Sequence, residues 1–167
     1  MMSTSDVSPS LRSSLTTDVL KKIMKVKKIP FKEYKRIYST VPRLCVEVVL
    51  LINKEIALTK RDIPPAIGKW HIPGGTVLKG ENLKGAVKRI AKEEIEENVE
   101  IQKMLGVIEY NFPKYFDQPI GIAFLVKLKN KNLSEKKDKK YKLFENMPKN
   151  MIKAQRDFII KHKKELF

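Results

Sequence analysis

The chain has 167 residues and a formal net charge of +16, from 35 Lys and Arg against 19 Asp and Glu. That length supports one buried core, and 42% hydrophobic with 32% charged residues describes a soluble globular chain. One cysteine, Cys45, excludes an intramolecular disulfide and a cysteine-based metal centre, and two histidines argue against multi-histidine zinc. The charge points to polyanionic partners (nucleic acid, nucleotides or anionic lipid), with a lysine-rich surface as the plainer explanation.

Residues 1–16 are small and polar and are expected to be a disordered extension. Thr17-Asp18 can cap a short basic helix over 17–29, which Pro30 stops. No apolar stretch reaches the roughly 18 residues of a membrane span, and the N-terminus lacks a signal peptide's apolar centre. The expected location is the cytoplasm, and no membrane partner is expected.

Leu44 to Ile52 is almost continuously apolar and reads as a buried strand, in which Cys45 is an inert thiol. Asn53-Lys54 is a turn, and Ile56 to Thr59 resumes a strand. A Pro-rich loop from Asp62 to Gly68 follows, then Lys69-Trp70-His71-Ile72-Pro73 and the pair Gly74-Gly75. Residues 81–97 read as a helix, Glu100–Ile108 and Ile120–Leu128 as strands, and 129–140 as a charged loop. Tyr141–Phe144 is a last short strand and 149–164 a terminal helix. This alternation predicts a single α/β or α+β sandwich domain.

The helix at 81–97 carries the chemistry. Leu83, Ala86, Val87, Ile90, Ala91 and Ile95 form one apolar face, and Glu94 falls near its middle. A carboxylate there needs a cation, because burying a bare charge is costly. Glu93 and Glu97 flank it, with Arg89 placed to pair with Glu93 at i,i+4. An oxygen-only cluster of this kind suits Mg²⁺ or Mn²⁺ sharing its shell with substrate phosphates. Gly74-Gly75 lets the backbone approach a ligand, and Arg61, Lys69 and Lys79 supply cations nearby. A solvated acidic helix face is the competing explanation.

Gly75, five residues, Glu81, seven residues, Arg89, then Glu93-Glu94 resembles the Nudix box. Residues 31–128 resemble, within that family, the GDP-mannose mannosyl hydrolase branch, through Val41-Pro42-Arg43-Leu44, Leu58-Thr59-Lys60-Arg61 and Gly68-Lys69-Trp70. The resemblance implies an α/β/α sandwich with a mixed β-sheet spanning 17–167. It implies Mg²⁺-dependent (or Mn²⁺-dependent) hydrolysis of a nucleoside diphosphate linked to another moiety, such as a nucleotide sugar. By the same resemblance, the Gly74 carbonyl, Glu94 and Glu93 hold metal, Glu81 and Arg89 shape the loop–helix–loop around Gly75, and Arg61 meets a phosphate, with Lys69 beside it. Relatives are often dimers, so a homodimer is a possible state.

Three departures stand out. Ile90 replaces the acid usual after the box arginine. No histidine lies between His71 and His162 to act as a base from a later strand. Glu96 stands where a small residue is usual. The remaining bases are Glu93, Glu97, Glu109 and Asp117, with Glu93 placed first; Gln118 is a candidate extra metal ligand. The rings of Tyr110, Phe112, Tyr115 and Phe116 could stack a base or simply pack a loop. The departures keep open a second reading, a catalytically weak Nudix-fold module that binds nucleotide or RNA. Residues 129–167 hold 12 Lys and one Arg against five acids, a net +8. Half the excess charge thus lies beyond the box, and a small diphosphate is a better-matched partner than nucleic acid.

Overall fold

The computed structural model of the protein describes residues 29–129 and 140–167. The expectations for 1–16, for a helix over 17–28 and for most of the loop at 129–140 lie outside these residues. In chain order the elements are α1 (Phe31–Tyr38), β1 (Arg43–Ile52), β2 (Glu55–Lys60), β3 (Trp70–His71), β4 (Gly74–Thr76) and α2 (Leu83–Ile95). They continue with β5 (Val99–Glu109), β6 (Pro119–Leu128), β7 (Lys142–Phe144), α3 (Lys153–Lys161) and α4 (Lys163–Leu166).

The apolar run at 44–52 becomes the sheet's spine. β1 pairs in parallel with β6 and antiparallel with both β2 and β4, which makes the sheet mixed. The order is β3-β2-β1-β6-β5, with β7 on β2. Asn53 and Lys54 take φ values of 51° and 68° and close the β1–β2 hairpin in the left-handed conformation that two-residue turns favour. One sheet face presents Val46, Val48 and Leu50 to Ala86, Val87, Ile90, Ala91 and Ile95 of α2. The other presents Val49, Leu58, Ile72 and Ile108 to Phe158 and Ile159 of α3. Helices on both faces of a mixed sheet are the expected α/β/α sandwich.

One helix was not assigned from the sequence, and two helix boundaries differ from that reading, each for a local reason. Pro30 opens α1. Its carbonyl accepts from Tyr34 N at 2.9 Å, and a proline's missing N–H costs nothing at a helix start. α1 buries no residue fully; Phe31 and Tyr34 meet Phe116 edge-on with ring centroids 6.1 Å apart. The helix expected at 81–97 is trimmed to Leu83–Ile95. Asn82 Oδ1 caps it by accepting from Gly85 N at 2.7 Å, and Glu96 ends it at φ 58°, a left-handed position usually given to glycine. The C-terminal helix begins at Lys153 because Met151 and Ile152 are taken up against Trp70, whose carbonyl accepts from Ile152 N at 3.0 Å.

Candidate active site

The box residues meet at the junction of β4 and α2. Arg89 grips Glu81 with two parallel bonds, Nε to Oε1 and Nη2 to Oε2, both 2.8 Å. The same Nη2 donates to Thr76 O at 2.9 Å, and Glu81 Oε2 accepts from Leu78 N at 3.1 Å. The Arg89 guanidinium holds the Glu81 carboxyl below the usual carboxylate range. This pair ties the β4–α2 loop to the helix.

Gly74 and Gly75 open the two faces of β4. A Cβ on Gly75 would stand 2.3 Å from Ile90 Cδ1, and one on Gly74 would stand 2.1 Å from Glu47 Oε2. Ile90, 4% exposed, therefore fills the place of the usual box acid with a methyl group packed on Gly75. Glu94 is half-buried, and its carboxyl has no hydrogen bond or ion pair among the described residues. Burial raises its pKa, and the nearby Asp62 and Glu93 charges push the same way. Glu93 is more exposed and accepts from Arg89 Nη1 at 3.2 Å.

Gly74, Gly75, Glu93, Glu94, Arg61, Lys79 and Arg89 line one cavity of about 720 Å³. Arg61 is steadied there by the Pro-rich loop, donating to the carbonyls of Pro65 and Pro64. Two expected residues are not brought to it. Lys69 is exposed and contributes only its carbonyl, to Arg61 N at 2.9 Å, and Gln118 lines a separate cavity of about 390 Å³. Glu109 lines neither cavity. His71 borders the larger one, but its ring is committed to Thr59 Oγ1 at 3.1 Å and to the Ile72 carbonyl at 2.9 Å, and burial lowers its pKa to about 4. Cys45 is buried with its thiol pushed up to about 12, so it is inert as read.

The structure adds an acid that the sequence reading missed. Glu47, 5% exposed, lies between Gly74 and Gly121 and borders the cavity. Tyr110 Oη donates to its Oε1 at 2.8 Å, and Gln155 Nε2 donates to its Oε2 at 3.3 Å and to Tyr110 Oη at 2.7 Å. Gln155 Oε1 in turn accepts from Ile72 N at 2.7 Å. Burial raises the Glu47 carboxyl to about 8, so it holds its proton at neutral pH. The available signal was a lone acid inside an apolar strand, and its partners come from distant strands and α3.

Among the described residues no three His, Cys, Asp or Glu side chains cluster to hold a metal on their own. The donors present are the Glu94 and Glu93 carboxylates and the Gly74 carbonyl, with an unpartnered, half-desolvated Glu94 calling for a cation. A sparse oxygen set of this kind fits Mg²⁺, which keeps several waters and shares its shell with phosphates.

A NUDIX domain model matches residues 41–159. The chain belongs to the NUDIX family, and it is a hydrolase of that family. The low-salt glycan biosynthesis protein Agl8 of Haloferax volcanii is 39% identical over 83 residues, 50% of this chain and 53% of that protein, so the chain matches about half of that relative's length. A MutT NUDIX hydrolase from Burkholderia pseudomallei has a TM-score of 0.59 at 21% identity, covering 72% of this chain and 97% of that one. A NUDIX hydrolase from Nitrosomonas europaea has a TM-score of 0.60 at 24% identity, covering 74% and 71%. A UDP-X diphosphatase has a TM-score of 0.59 at 18% identity, covering 93% and 80%. At these identities the structural likeness is one of fold. No helix of the described residues is long and apolar enough to cross a membrane.

Proposed function

We propose that this chain hydrolyses a nucleoside diphosphate joined to a hydroxylated moiety, such as a nucleotide sugar, with Mg²⁺ or Mn²⁺. The observation that carries the reading is that Glu94, Glu93, Gly74 and Arg61 border one cavity whose floor is the Glu47–Tyr110–Gln155 network. In this reading the Arg61 guanidinium binds a diphosphate oxygen, and Glu94, Glu93 and the Gly74 carbonyl hold the metal. The metal would neutralise charge on the departing diphosphate. Glu47, Tyr110 and Gln155 offer donors and acceptors to hydroxyl groups, which supports a sugar over an apolar second half. Arg43, Cys45 and Glu47 share one face of β1, spaced about 13 Å from end to end at ~3.3 Å per residue. That span suits an extended substrate. Glu93, which accepts from Arg89 Nη1, is the first candidate to activate water.

Ile90 favours a second reading, a module that binds nucleotide or RNA without useful turnover, because the usual acid's place is hydrocarbon. A panel of nucleotide sugars and other nucleoside diphosphate derivatives, incubated with Mg²⁺ or Mn²⁺ in ¹⁸O-labelled water, decides between the two. Turnover of a nucleotide sugar is expected, and the label shows whether phosphorus or carbon was attacked. Saturable binding without product would establish the second reading instead.

A further inference from the structure

At the Arg43 end of β1 the cavity has polar groups that the diphosphate site leaves unused. Arg43 Nε donates to Asp117 Oδ2 at 2.6 Å, and Nη1 donates to Cys45 Sγ at 2.8 Å and Thr76 Oγ1 at 3.0 Å. Nη2 has no hydrogen bond among the described residues. The Asp117 side chain is 2% exposed, and its Oδ1 is the one buried side-chain oxygen or nitrogen among the described residues that lacks a partner. Asp117 lies in the wall shared by the 720 Å³ and 390 Å³ cavities. A desolvated carboxylate oxygen facing no donor is unfavourable, and a ligand N–H would satisfy it.

Aromatic rings surround this pair. The Arg43 guanidinium lies 5.9 Å from the Tyr34 ring centroid, and Phe31, Phe112 and Tyr115 border the same cavity. Phe31 is 67% exposed, an unusual position for so large an apolar ring at a cavity rim.

Resting on the nucleotide reading above, we propose that this end of the cavity is the nucleobase site and that it selects guanine or uracil. The base stacks in the cavity against the rings that border it, Tyr34 of α1 and Phe112 and Tyr115 of the 111–118 loop, where stacking is available to any base. A ring N–H donates to Asp117 Oδ1, and the adjacent carbonyl accepts from Arg43 Nη2. Guanine and uracil carry a ring N–H beside a carbonyl. Adenine and cytosine present a lone pair at the corresponding ring nitrogen, which a carboxylate repels.

The test is equilibrium binding of GDP, UDP, ADP, CDP and inorganic pyrophosphate to the full chain, with and without Mg²⁺. GDP or UDP is expected to bind at least about tenfold more tightly than ADP, CDP and pyrophosphate, as hydrogen-bond recognition of a substrate edge allows. Asp117→Asn is expected to erase the ranking among bases. Tyr34→Leu is expected to weaken all four nucleotides several-fold while leaving pyrophosphate binding as it was. ADP and CDP binding as tightly as GDP and UDP would overturn the proposal, as would nucleotides binding no better than pyrophosphate. Should Asp117→Asn fail to fold, the wild-type panel and Tyr34→Leu still decide. A chain that ranks the bases but hydrolyses nothing keeps this site and loses the hydrolytic reading; one that turns over all four bases equally does the reverse.

Discussion

Tyr110 donates its phenolic proton to Glu47 Oε1 at 2.8 Å, inside a carboxyl–phenol–amide network completed by Gln155. Both groups are buried, and neither has a charged partner bonded to it. The two hydrogen bonds favour the Glu47 carboxylate, but the cost of burying its charge outweighs them and raises its pKa.

The first prediction is a pH dependence of stability. Burial pushes the Glu47 carboxyl up to about 8 in the fold, from an ordinary value of 4.5. Between those values the native state holds a proton that the unfolded state has lost, so stability falls as pH rises. His71 works oppositely, because burial lowers it to about 4, below the ordinary imidazole value of 6.5. Its contribution is lost as pH falls from 6.5 towards 4, so the two slopes oppose each other below 6.5. Above 6.5 the Glu47 slope stands alone, at roughly 1.4 kcal/mol per pH unit. Denaturant unfolding from pH 6.5 to 8 is expected to show this slope in the wild type and to lose it in Glu47→Gln. A wild-type profile as flat as the variant's would show that Glu47 is already ionised.

Glu94→Gln is expected to lower turnover by at least about 10²-fold, as loss of a metal-bound charge should. Its thermal midpoint is expected to match or exceed the wild type's, since the substitution removes a half-buried charge that has no partner. Near-normal turnover would remove Glu94 from the metal site.

Gly75→Ala would set a methyl group 2.3 Å from Ile90 Cδ1. Overpacking of this kind costs about 1–3 kcal/mol, measurable by denaturant unfolding. Ile90→Val removes Cδ1, so the double variant is expected to recover much of the loss and give a clearly non-additive cycle. Additive losses would mean that Gly75 is required for backbone reasons alone.

Arg89→Lys keeps the charge and loses the fork that holds both Glu81 oxygens and the Thr76 carbonyl. We expect a loss of about 1–3 kcal/mol in stability. Turnover is expected to fall as well, because the loop carrying Gly74 and Gly75 loses its tie to α2. Unchanged stability would make the bidentate pair a surface ornament.

The sandwich and the box were legible because both rest on local patterns. The 3.6-residue period of α2, the apolar run of β1 and the spacing of Gly75, Glu81, Arg89, Glu93 and Glu94 are each properties of a short stretch. α1, which opens at Pro30, was not read from the sequence because it buries no residue fully and its packing on Phe116 is a contact between segments far apart in the chain. Lys69 and Gln118 were placed by proximity along the chain to strands that reach the site, but the fold leaves Lys69 exposed and sends Gln118 to the neighbouring cavity.

By itself the sequence determined the family, the sheet-forming runs and the spacing that lets Arg89 reach Glu81, because each follows from residue type and short-range spacing. Only the tertiary structure decided that Glu47 is a buried, hydrogen-bonded carboxyl bordering the cavity. Its partners Tyr110 and Gln155 lie 63 and 108 positions away, and no local pattern encodes which distant groups a buried carboxyl will meet. The +16 charge says nothing of that choice. The hydrogen bonds that a desolvated acid requires are set by which strands and helices the core brings together.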